Sequence, residues 1–103
     1  MCRAPIAKVG SKEDIEHLQR WSRLGKSWAQ FLLGTMYQLG LGVKKDTKRA
    51  SKLYKLAADR SHHCAQYNLA GMYTNGEGVV QSDQLSFKFY KLSADQGYAQ
   101  AQL

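Results

Sequence analysis

The chain has 103 residues, 44% of them hydrophobic and 11% aromatic, and its fifteen Lys and Arg outnumber eight Asp and Glu to give a formal net charge of +7. That is apolar material for one folded domain and excludes an intrinsically disordered chain. Two cysteines are too few to staple a secreted miniprotein, and the longest charge-free stretch, residues 27–43, carries three glycines among polar residues, which is unsuited to spanning a bilayer.

Residues 1–10 read as a flexible N-terminal tail; they contain Cys2, nothing in the sequence pairs it with Cys64, and Met1 to Lys8 lack the apolar run of about 7–15 residues that a secretory leader needs. A cytoplasmic, soluble setting is therefore expected. Ser11 with Asp14 resembles a capping box, and Ile15, Leu18 and Trp21 continue a helix to Gly25. Next, Ala29, Leu32, Leu33, Met36 and Tyr37 follow the i, i+3, i+4, i+7, i+8 spacing of an amphipathic helix, and so do Ala50, Leu53, Tyr54, Ala57 and Ala58. Between them Gly40 suits a left-handed helix stop, Gly42 permits a tight turn, Val43 tucks back under the hairpin, and Asp46 caps the second helix.

The same cassette then recurs 36 residues later. From Gly25/Ser61 to Tyr67/Leu103, sixteen of 43 pairs are identical without a gap. Ala29-Gln30 returns as Ala65-Gln66 and as Ala101-Gln102; Leu33, Tyr37, Gly40 and Gly42 return as Leu69, Tyr73, Gly76 and Gly78; Tyr54 and Ala58 return as Tyr90 and Ala94. Ser82 stands where Asp46 caps, with Asp83 as an alternative. Gly25 and Gly97 mark unit-ending turns, with Ser61 a weaker stop between them. The predicted organisation is an all-α stack over residues 11–103: a half unit at 11–25, full units at 26–61 and 62–97, and the stub of another at 98–103. That makes about five helices plus the stub.

The spacing Ala-Gln-x-x-Leu-Gly-x-x-Tyr-x-x-Gly-x-Gly-Val, then Asp, then Ala-x-x-x-Tyr-x-x-Ala-Ala resembles the Sel-1-like repeat, a relative of the tetratricopeptide repeat. Positions 29–58 follow it almost throughout, with Gly34 and Ala50 in place; the second copy departs at Ala70, Asn68, Ser86 and Ser93, which loosens it. The resemblance implies a right-handed superhelix of helical hairpins that acts as a non-catalytic adaptor. Repeats of this kind bury a continuous core between neighbours and expose an extended concave surface to a protein or peptide.

Phe31 lies about 190° from the centre of its helix's apolar stripe, and its repeat mate Tyr67 is also aromatic. Two placements are open: these rings line the inner surface with Thr35, Gln38 and Thr74, or they pack against neighbouring units. Trp21 and Trp28 are expected to seal the junction of the half unit with the first full one. Lys48, Lys52 and Lys55 form a stripe opposite the apolar face of their helix, which a solvated surface explains. Binding of nucleic acid or an anionic surface through the basic run Lys44–Lys55 is the alternative function, with nucleic acid the less favoured partner. His62, His63 and Cys64 are adjacent and point about 100° apart on a helix, so no metal site is expected. No catalytic constellation and no cofactor motif appears, and the chain reads as a non-enzyme. It also reads as a fragment of a longer solenoid, with self-association through uncapped ends.

Overall fold

The computed structural model describes the backbone of residues 12–101 and the side chains of residues 13–96. The tail with Cys2, the Ser11 cap and Gln102-Leu103 lie outside the described residues. Five helices follow one another: α1 (Lys12–Arg23), α2 (Ser27–Leu39), α3 (Thr47–Asp59), α4 (His63–Asn75) and α5 (Asp83–Ala101). Among the described residues there is no strand. Each helix packs chiefly on its neighbours in the chain, so α2 with α3 and α4 with α5 form hairpins, α3 against α4 joins them, and α1 lies on α2.

One core runs through the stack because each apolar stripe meets another. Ala29, Leu33, Met36 and Tyr37 of α2 meet Ala50, Leu53, Tyr54 and Ala57 of α3, and Ala65, Leu69 and Met72 of α4 extend the same cluster. Ala29 and Ala65 are fully buried at the start of their helices, where only a methyl group fits between units. The glutamine after each alanine is buried too. Gln30 Nε2 donates to the Ser22 carbonyl at 3.2 Å, and Gln66 Nε2 to the Ala58 carbonyl at 3.1 Å, so each reaches a carbonyl near the end of the preceding helix. The Oε1 atoms of both glutamines have no partner among the described residues.

The hairpin loops are built alike. The amides of Leu41 and Glu77 donate to the Met36 and Met72 carbonyls at 2.9 Å, and those of Asp46 and Ser82 reach back to the Tyr37 and Tyr73 carbonyls at 2.8 and 3.0 Å. Asp46 accepts from the Arg49 amide at 3.1 Å and Ser82 from the Leu85 amide at 3.2 Å, which settles Ser82 as the second cap. Asp83 instead accepts from Gln81 Nε2 at 2.7 Å. The loops differ in their surroundings. Gly78, at φ +72°, presses on the backbone of Thr47, where a Cβ would collide with the carbonyl. Gly42 has almost the same φ of +73° and is exposed.

Two expectations need correction. The turn at Gly97 does not form: α5 continues through it to Ala101, since one glycine inside a helix costs only about 1 kcal/mol and the alanines and glutamine around it favour a helix. Tyr90 and Ala94, matched by the repeat to Tyr54 and Ala58, which are buried beneath α4, are instead exposed. A turn does form at Ser61, with this serine held at φ +65°.

Candidate functional site

Tyr54 is the centre of the polar network. Its fully buried ring lies against Gly34, where an added Cβ would stand 3.0 Å from two ring carbons. Its hydroxyl has one proton and two acceptors, Gln38 Oε1 at 2.7 Å and Thr35 Oγ1 at 3.0 Å, while Asn68 Nδ2 donates to it at 3.5 Å from the next unit. Thr35 itself donates to the Phe31 carbonyl at 3.0 Å. Burial pushes the Tyr54 phenol above its ordinary value, partly offset by its hydrogen bonds with Thr35 and Asn68. Asn68, which departs from the apolar Leu32 of the first unit, thus acts as an inter-unit hydrogen-bond donor.

Of the five candidate contact residues, two are interior. Phe31 is only 6% exposed, stacked on His62 of the next unit at 4.8 Å and tilted against Tyr54 at 5.9 Å, so the second of its two open placements holds. Thr35 is buried beside it. Gln38 is half-buried on the Tyr54 hydroxyl, and Thr74 is exposed, donating to the Ala70 carbonyl and sharing a short hydrogen bond with Ser86. Tyr67 is 52% exposed and meets Tyr90 edge-on at 5.3 Å. The two serines expected to loosen the second copy are buried and hydrogen-bonded, Ser86 with Thr74 and Ser93 to the His63 carbonyl at 2.9 Å. Trp21 and Trp28 do meet, 6.2 Å apart, but both stay largely exposed.

His62 was not a structural candidate in the sequence, yet it joins the units. Its Nδ1 accepts from the Ala65 amide at 3.1 Å and caps α4, which requires that nitrogen to be unprotonated. Burial and then the neighbouring charge of His63 hold its pKa below the ordinary value. Cys64 is buried and disulfide-bonded. Among the described residues no three of His, Cys, Asp and Glu come together as metal ligands would.

The basic residues of α3 are exposed as the helical wheel predicts, but they do not simply face water. Lys48, Lys52 and Lys55 edge a cleft of about 420 Å³ whose other side is Leu69, Tyr73 and Val79 of the second unit. A second hollow of about 490 Å³ lies at the first hairpin loop, between Tyr37, Lys44, Lys45 and Arg49, where the guanidinium carbon of Arg49 sits 4.9 Å from the centre of the Tyr37 ring. No periodicity within α3 could reveal the cleft, since its far wall comes from residues 69–79.

Helical hairpins stacked through matched alanines, glutamines and glycine loops define a repeat solenoid. A model of the Sel1 repeat family matches residues 29–62 and 65–98, and the chain belongs to that family. It is similar to the c5321 protective antigen of uropathogenic Escherichia coli, which displays an SLR fold, with a TM-score of 0.80 and 30% identity over 82% of this chain and 18% of that one. It is also similar to a Sel1 repeat protein from Oxalobacter formigenes, with a TM-score of 0.79 and 32% identity over 87% of this chain and 37% of that one. The chain therefore spans well under half the length of either. No curated protein matches it. Sel1 repeats are in general protein-interaction modules on a typically non-catalytic scaffold. Among the described residues no helix is long and apolar enough to cross a membrane.

Proposed function

We propose that this chain is a non-catalytic interaction module that takes a peptide or protein segment on the concave surface lined by its first helices, α2 and α4. The observation that supports this most is Tyr67. A large ring, half exposed and steadied edge-on by Tyr90, is the kind of rigid anchor that dominates protein contacts. Thr74 and Gln38 are retained as the polar candidates, while Phe31 and Thr35 drop out because they are interior. On the outer side of α5, Phe87 is 69% exposed where its repeat mate Ser51 is buried, which supports association through that face with a further unit or another copy.

The test is selection of binding peptides from a display library on the immobilised chain, followed by amide chemical-shift mapping. Shifts on α2 and α4, with a loss of at least about tenfold in affinity for Tyr67→Ala, are expected. Shifts confined elsewhere, or an unchanged affinity, would overturn the inner-face reading.

A further inference from the structure

We infer that the cleft between the two repeats on the α3 side is a second docking surface, and that its occupant is an acidic peptide carrying aliphatic side chains among its carboxylates. This goes beyond the inner-face reading and does not depend on it.

Three features of the cleft lead there. Lys48, Lys52 and Lys55 lie at i, i+4 and i+7, so α3 spreads their ammonium groups along one edge over about 10 Å. Among the described residues none of the three is in an ion pair with a carboxylate, and no acidic side chain lines the cleft. The nearest carboxylates in sequence are Asp46, two residues before Lys48 and engaged in capping α3, Asp59, one turn beyond Lys55, and Glu77, beside Gly78. The opposite wall is apolar: Leu69 belongs to the core, and Val79 and the ring of Tyr73 are packed against it while remaining partly exposed. The site is also rigid, because Gly78 is pressed onto Thr47 and the Ser51 hydroxyl lies 3.5 Å from the Gly78 carbonyl while donating to Lys48 at 2.7 Å.

Lysine ammonium groups along one edge and an aliphatic wall along the other match a chain that alternates carboxylates with apolar side chains. Nucleic acid matches less well. Its phosphates would run past the short lysine row onto the second unit, whose residues 62–97 carry three Asp and Glu against two Lys, and its sugars offer nothing for Val79 to cover.

Fluorescence anisotropy with a short labelled peptide of alternating glutamate and leucine tests this. Its glutamine counterpart and an oligothymidylate of equal charge serve as comparison probes. Binding of the glutamate peptide is expected to weaken with salt and to fall about tenfold or more in Lys52→Glu with Lys55→Glu. Lys44→Glu with Lys45→Glu, which changes the net charge equally outside the cleft, is expected to cost less than about threefold. Circular dichroism checks that both variants keep their helices. Equal binding of the glutamine peptide, equal losses in the two double variants, or tighter binding of the oligonucleotide would each overturn the proposal. Tyr67→Ala leaves this anisotropy unmoved, so failure of the inner-face reading and failure of this one are told apart.

Discussion

The two full repeats share a backbone plan and differ in what surrounds it. In residues 26–61, Tyr54 is fully buried over Gly34 and Phe31 is interior; in 62–97, Tyr90 is 37% exposed and Tyr67 half exposed. Part of the cause is local, since Ala70 places a methyl group where Gly34 leaves room for the ring, and Tyr90 turns instead toward Tyr67 and Gly71. The rest is the neighbour. The first unit is covered by α4, with Asn68 on the tyrosine hydroxyl, whereas among the described residues no helix covers the outer side of α5. Charge divides as sharply, with eight Lys and Arg against two Asp and Glu in the first unit and two against three in the second. One cassette can thus be a core element or a surface element according to what stacks on it.

That contrast can be broken by truncating the paired tyrosines. Tyr54→Ala is expected to cost about 4 kcal/mol in urea-melt stability, and Tyr90→Ala about 1–2 kcal/mol; equal losses would mean that the two positions are equivalent after all. The glycine pair sharpens it. Gly78→Ala combines a left-handed backbone with a collision against Thr47 and is expected to cost about 3 kcal/mol, whereas Gly42→Ala, with the strain alone, is expected to cost about 1 kcal/mol.

A smaller effect sits at the joint between units. Because the folded pKa of His62 is depressed, the unfolded chain takes up that proton first, so the cap's contribution is fully present above about 6.5 and is lost as pH falls through the folded value. The melting temperature should therefore drop between pH 7.5 and 5 by more in the parent chain than in His62→Asn, whose cap does not titrate there; parallel curves would exclude His62 as the cause. Smallest of all, Ser61→Gly is expected to stabilise by about 0.5 kcal/mol, the relief of φ +65° being partly offset by the greater freedom of glycine when unfolded. A loss of stability there would show that Ser61 contributes more than a turn.

The helices, loops and caps were legible because the cassette occurs twice and each copy checks the other: two glycines after Tyr37 recur after Tyr73, and Asp46 and Ser82 both cap. What escaped was whatever depends on contact between copies. Phe31 points away from its own helix's apolar stripe, and periodicity alone cannot tell that His62 of the next unit meets it there. The burial of Tyr90 was misjudged for the same reason in reverse, since the repeat specifies the residue but not its cover. Gly97 read as a stop because Gly25 is one, yet the alanines and glutamine beyond it extend the helix. Of the candidate site, Lys48, Lys52 and Lys55 were visible as a stripe; the aliphatic wall facing them belongs to another part of the chain.

The buried glutamines carry a mechanical consequence. Gln30 and Gln66 each tether one hairpin to the tail of the helix before it through a single amide arm. Between the two full hairpins the hydrogen bonds of Gln66, Asn68 and Ser51 hold the joint, and each hairpin packs more extensively within itself than across it. Stretched from its ends, the stack would part at such joints first and lengthen in steps, like a hinged rule opening joint by joint.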